Sequence, residues 1–230
     1  KTHMMTGMTA AVKNLFGCVP GLQKAEFHMR FPDREGFGEM LCDLCVAVAP
    51  ALVVADGIVG MEGDGPAGGE VRAMGLLLGG EDPFLVDLAI AQIIGIAPQQ
   101  VPYLAAAAAR GLCPNVFPAA ALAPGSDPLP HFLDFKLPAS FAEITFGSKV
   151  PPGLRWATPA VVRFAAPHPV IHTARCIGCG KCAEICPGKT IVFQNKKAKI
   201  LKADCIRCFC CHEMCPVKAI DVRHLPFFKL

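Results

Sequence analysis

Two runs of cysteine near the C-terminal end share one spacing. Cys176, Cys179, Cys182 and Cys186, then Pro187, form C-x2-C-x2-C-x3-C-P, and Cys205, Cys208, Cys211 and Cys215, then Pro216, form it again 29 residues later. An offset conserved at every ligand position points to an internal duplication, each half one small supersecondary unit. A cubane cluster has one open site per iron, at the four corners of a tetrahedron. Thiolates two residues apart let one tight loop reach three corners, and the fourth lies too far round for that loop. In two-cluster ferredoxins the fourth cysteine of each run serves the other cluster. The expected ligand sets are therefore Cys176, Cys179, Cys182 and Cys215 for one 4Fe-4S cluster, and Cys205, Cys208, Cys211 and Cys186 for a second. Proline after each fourth cysteine removes a donor and fixes φ, which helps turn the chain away.

Other uses of these thiols fit less well. Structural zinc takes paired C-x2-C knuckles separated by a spacer, not a triple run followed by x3 and proline. Disulfides are strained at such short spacings. Thirteen cysteines with no recognisable secretory leader indicate metal or redox chemistry in a reducing compartment. No histidine replaces a ligand, which disfavours a Rieske-type centre.

The elements around the ligands are those of a small α+β, ferredoxin-like module over residues 171–230. Residues 190–194 and 198–201 are β-prone and flank Asn195-Lys196-Lys197, a hairpin signal. Ile177, Ile185, Ile206, Phe209 and Met214 are expected to form a dry shell. From residue 171 onward 11 Lys and Arg stand against 4 Asp and Glu, whereas the first 170 residues carry 11 against 15. Part of the basic excess balances thiolates. The rest fits docking of an acidic redox partner, a ferredoxin or flavodoxin. Basic residues are not interleaved with aromatics, so no nucleic-acid partner is expected.

The chain has 230 residues, 53% of them hydrophobic and 18% charged, which places it among globular proteins. Its longest weakly charged apolar stretch, residues 44–55, is closed by Asp43 and Asp56 and falls short of the roughly 20 residues of a membrane span. No membrane partner is expected, and the expected location is cytoplasmic. Residues 1–113 read as α/β: helices over 9–16, 35–48, 82–94 and from Pro102 to Gly111, with a buried strand over 51–55 and another over 71–78. Proline-rich residues 114–170 read as an extended linker or strap.

Between the two strands a glycine-rich stretch, residues 56–66, carries Asp56, Glu62 and Asp64 and is expected to be a loop. It lacks G-x-G-x-x-G and the P-loop lysine, so nucleotide binding is not indicated. Two readings stand: carboxylates at a strand's carboxyl end lining a substrate or metal pocket, or turn glycines with capping carboxylates. Lys1, His3, Lys13 and Asn14 form a second polar group, either substrate-binding or a cap and solvated face. The candidate substrate pocket is thus His3, Lys13, Asn14, Asp56, Glu62 and Asp64. Asp87, inside an apolar helix, reads as a satisfied structural carboxylate rather than a functional acid. Cys42 and Cys45 sit near a helix end rather than at the N-terminus that would activate a thiolate, which favours a structural role.

Lys1-Thr2-His3 with residues 9–17, Asp56-Gly57 with residues 60–66, residues 80–83 leading to Asp87, and residues 205–216 together resemble the domain-of-unknown-function 362 family. The resemblance implies iron–sulfur proteins with an α/β domain and no reaction common to them. It also implies that the chain is a fragment, its α/β domain lacking N-terminal elements, so that exposed apolar surface would favour a homo-oligomer. Two functional expectations follow. One is electron transfer between a donor and a reductive site near the glycine-rich stretch, as in a ferredoxin-dependent oxidoreductase. The alternative is a non-catalytic redox-sensing or binding protein with structural clusters.

Overall fold

The computed structural model describes residues 1–138 and 168–223. Most of the expected strap, residues 139–167, and the expected end of the cluster module, 224–230, lie outside the described residues.

The N-terminal unit runs β1 (Thr2–His3), β2 (Gly7–Met8), α1 (Ala11–Asn14), α2 (Gly21–Arg30), α3 (Arg34–Val48), β3 (Val53–Glu62), β4 (Glu70–Gly80), α4 (Pro83–Ile94) and α5 (Pro102–Ala109). Local chemistry sets the long helices. The Asp33 carboxylate accepts the Gly36 N–H at 2.7 Å to start α3, and left-handed Ala49 ends it before Pro50. Asp82 accepts the Phe84 and Leu85 N–H groups, Pro83 occupies the first turn of α4, and left-handed Gly95 closes it. The expected single helix over 9–16 is instead the one-turn α1 followed by a 3₁₀ turn, Leu15–Cys18.

Strands and helices come in blocks rather than one by one, and every described ladder is a two-stranded antiparallel pair, not the parallel layer that alternation would build. β3 and β4 form the longest, from Val53 opposite Gly80 to Glu62 opposite Glu70. A register slip between Gly57 and Val59 is absorbed across the ladder by Gly75 at φ 69°. Two expectations change. Most of residues 56–66 is strand rather than loop, because the alternating side chains of β3 pair fully with β4 up to Glu62. The 51–55 run is not a buried strand either. Pairing starts at Val53, and Val54, with Val71 and Leu77 of β4, points outward at 71%, 80% and 69% exposure. Only the opposite face, with Met74, Leu76 and Leu78, packs on the core.

That core joins α1, α3, α4 and α5 through Val12, Phe37, Leu41, Leu88, Tyr103 and Leu104. Gly38 lets α5 approach, since a Cβ there would collide with the backbone of Pro102. Cys42 and Cys45 are buried in it, and the Cys42 thiol donates to the Tyr103 carbonyl at 3.1 Å. Burial pushes their pKa values up to about 12 and about 11, so neither is poised as a nucleophile.

The cluster unit comprises β5 (His168–Ile171), α6 (Lys181–Glu184), β6 (Ile191–Gln194), β7 (Lys197–Ile200), α7 (Cys210–Glu213) and β8 (Ile220–Arg223). β5 begins three residues ahead of the expected start at 171. It pairs with β8, and β6 pairs with β7 through a two-residue turn in which Asn195 and Lys196 both have positive φ.

One buried contact fixes α1. Asp87 of α4, fully buried, accepts the Ala11 N–H at 2.6 Å and the Val12 N–H at 3.1 Å, so it caps α1 from a distant helix. Burial raises its pKa to about 7, against the pull of those two N–H groups. Asp87→Ala leaves two N–H groups without acceptors and is expected to cost about 3 kcal/mol in denaturant unfolding at pH 7. A carboxyl that holds its proton more tightly when folded loses stability as pH rises from its ordinary value of 3.8 towards about 7. That fall should be present in the wild type and reduced in the alanine variant.

Candidate iron–sulfur sites and the seam beside them

The two cysteine runs fold into loops of one shape. Gly178 and Gly180 of the first have φ of 72° and 84°; Arg207 and Phe209, 29 residues on, have 56° and 60°. Lys189 and Lys218 repeat the correspondence at 49° and 47°. The first loop meets the left-handed requirement with glycine, at no Cβ cost. The second meets it with Arg and Phe, at about 1 kcal/mol each. The repeat is therefore conformational as well as numerical.

The side chains close two separate cavities. One is lined by Cys176, Cys179, Cys182 and Cys215, with Ile171, Ala198 and Ile220. The other is lined by Cys186, Cys205, Cys208 and Cys211, with Ile191, Ile200 and Phe209. Each cavity thus takes three thiols from one run and the last from the other. All thirteen cysteines are free. Among the described residues no three His, Cys, Asp or Glu side chains converge closely enough to grip a single metal ion. Thiols that ring a cavity leave room for a polynuclear cluster, in which each sulfur would have its own iron.

Backbone amides already point at sulfur. The Ala219 N–H donates to Cys215 Sγ at 3.1 Å and the Thr190 N–H to Cys186 Sγ at 3.4 Å. The Cys176 thiol is shifted down, first by the Ala198 N–H and then by that of Gly178, as a thiolate ligand requires. Burial raises Cys182, Cys205 and Cys211, whose thiols face apolar walls. The expected dry shell is one-sided. Phe209 is buried, but Ile177 is 63% and Met214 47% exposed, because the loops lie at the surface of a small unit.

α7, which carries Cys211 of the second cavity, packs against the N-terminal unit. His3 Nε2 lies 3.5 Å from Glu213 Oε1. His3 Nδ1 accepts the Met5 and Thr6 N–H groups at 3.1 and 3.4 Å, so in neutral His3 the proton sits on Nε2, facing Glu213. Burial, then Lys13, keeps its pKa well below 6.5. Lys13 Nζ stands over Phe16 and Phe37 at 5.5 and 5.9 Å from the ring centroids. Burial lowers its pKa to about 8 and Glu213 opposes the shift. On the other flank, the turn after β3 meets His212: Gly68 leaves room for its ring, and Asp64 acts on its charge.

The six candidate pocket residues therefore separate. His3 meets Glu213 and Lys13 lies within its electrostatic range, while Asp64 acts on His212 of the same helix. Asn14 and Asp56 line a different groove between α1 and the start of β3. Asp56 also borders a mainly apolar cavity of about 480 Å³ between β3–β4 and α4. Glu62 is structural: buried, it accepts the Lys136 N–H at 3.2 Å and pairs with the Lys136 and Arg72 side chains. Sequence reasoning missed His28, Arg34 and Glu213, which face His3 and Lys13 from α2, the start of α3 and α7. Only the place of Glu213 inside a ligand run gave any signal.

Residues 1–92 match the family described as Domain of unknown function (DUF362), and residues 168–216 match the 4Fe-4S dicluster domain. A Thylakoid-associated protein of Synechocystis is 42% identical over 149 residues, which are 64% of this chain and 46% of that protein. The matched region thus spans about half the length of that relative. No solved structure matches. No described helix is long and apolar enough to cross a membrane.

A Cβ at Gly178 would strike the Lys196 carbonyl at a φ that disfavours any side chain. Gly178→Ala should therefore cost the holoprotein about half its iron. Arg207→Gly should stabilise the second loop by about 1 kcal/mol. Iron content and thermal loss of visible absorbance check both.

Proposed function

We propose that this chain is an electron-transfer protein that binds two 4Fe-4S clusters and serves a reductive site at the seam between its two units. The observation that carries the reading is the exchange of the fourth cysteine between two separate thiol-lined cavities. The dicluster match supports the same conclusion. Bound clusters would supply one-electron chemistry at low potential.

The chain's own residues give the two sites different surroundings. Cys179 and Ile177 are exposed beside the first cavity, Lys196 packs next to Gly178 of the same loop, and Lys181, two residues after Cys179, is exposed as well. That face suits an acidic partner, a ferredoxin or flavodoxin. The second cavity is backed by α7 and so by the N-terminal unit. This arrangement favours a reductase, as in a ferredoxin-dependent oxidoreductase; a sensor would need the exposed face alone. Thirteen free thiols fit a reducing compartment, the cytoplasm, and the relative's name adds association with thylakoids as a location to test.

Anaerobic reconstitution should give about eight irons per chain and, after dithionite, an EPR spectrum of two coupled spins. Ligand exchange makes paired substitutions informative. Cys179→Ala with Cys215→Ala strikes one quartet, so about four irons should remain. Cys179→Ala with Cys186→Ala strikes both, so iron should fall towards zero. Equal iron in the two double variants would refute the exchange, and stoichiometric zinc in place of iron would end the electron-transfer reading.

A further inference from the structure

Among the described residues, the seam beside α7 holds donors without acceptors. Lys13 Nζ has three protons to donate and no hydrogen-bond acceptor among those residues. It stands over the faces of Phe16 and Phe37. His28 is buried at 6% exposure and stacks on Phe37 with centroids 4.7 Å apart and planes 7° from parallel. Its Nδ1 is buried with no hydrogen-bond partner among the described residues. An orphaned buried polar atom of this kind costs about 1–3 kcal/mol, so its persistence calls for an explanation. His3, also buried, directs its remaining ring nitrogen at Glu213.

Charge points the same way. Lys1, Lys13 and Arg34 all act on the buried His3 ring. Glu213 is the one carboxylate among the groups acting on Lys13. The Glu213 side chain is 35% exposed and Lys13 only half-buried, so the seam opens to solvent at this carboxylate. Among the described residues, the charged groups that shift His3 are all cationic, and one carboxylate, Glu213, acts on Lys13, which makes a poor site for a further cation or an apolar body. An ammonium without an acceptor, beside an unpartnered His28 Nδ1 that donates when the ring proton sits there, suits an oxyanion on this positive, partly dehydrated wall.

We infer that the seam formed by His3, Lys13 and His28 against α7 binds a small oxyanion, a carboxylate or phosphate group of the substrate, beside the cavity ringed by Cys186, Cys205, Cys208 and Cys211. The inference rests on the reductive-site reading for its purpose, but not for its chemistry. Lys13 gives the anion a charge-assisted bond from a side chain held in place by two aromatic faces. His28 Nδ1 supplies a second donor, and His3 fixes Glu213 at the rim. Glu213 is the competitor an anion must displace or avoid, so it sets affinity with a sign opposite to that of Lys13.

The test uses the full chain, reconstituted and with its iron measured, in calorimetric titrations at pH 7 with sodium phosphate in one arm and sodium oxalate in the other. Saturable binding of one anion per chain, below about 1 mM, is expected in at least one arm. Phosphate alone would identify a phosphate group and oxalate alone a carboxylate. Lys13→Met should weaken binding by roughly tenfold or more, the value of one charge-assisted bond. Glu213→Gln should tighten it severalfold, an opposite change that a merely unfolded variant cannot imitate. An iron-replete chain that binds neither anion, or an iron-replete Lys13→Met chain that binds as tightly as wild type, overturns the inference. A chain without iron counts instead against the cluster reading, so the two failures are distinguishable.

Discussion

Eight sulfur atoms must surround two cavities, and neither loop can complete its own ring. This constraint organises the C-terminal unit. Because Cys186 and Cys215 cross over, each loop is anchored at both cavities, and the repeat cannot be pulled apart without opening both. The loops accept left-handed residues to meet that demand. Glycine absorbs the cost in the first loop, whereas Arg207 and Phe209 carry it in the second. Such strain persists because ladders, amide–sulfur contacts and a small apolar core over-determine the loop.

The second cavity is tied to the rest of the molecule through α7. This one-turn helix carries the ligand Cys211 on one face and presents His212 and Glu213 to the N-terminal unit on others. The groups that meet it come from β1, α1 and the turn after β3. Their placement depends on buried contacts further away. Asp87 caps α1 from α4, and α1 carries Lys13. Glu62 binds Lys136 and Arg72, which steadies the end of β3 just before the turn that covers His212. A buried carboxylate and an ion-pair cluster thus help decide where His3, Lys13 and Glu213 stand.

The N-terminal unit was legible in part. Sequence reading over 35–48 and 82–94 matched α3 and α4 within a residue or so, and the structure adds the caps and stops, Asp33, Asp82, Pro83 and Gly95, that set those ends over one helical turn. The β3–β4 ribbon was harder to read. Its glycines suggested a loop, and its continuous apolar start suggested a buried strand. Pairing satisfies the backbone through the glycines, and one face of a two-stranded ribbon stays open whatever side chains it bears. Of the candidate pocket, His3 and Lys13 are drawn to one place, whereas Asp56 borders a separate groove and Glu62 is taken up by Lys136 and Arg72.

The sequence by itself determined the chemistry of the cysteine runs, their repeat and the hairpin between them. Ligand spacing is a local property, enforced by how far a tight loop can reach. Tertiary structure alone decided what stands beside the second quartet. Lys13, His28, Arg34 and Glu213 come from segments up to two hundred residues apart, and no periodicity records their approach. Only the packing of helices and the docking of α7 bring those charges within range of one another.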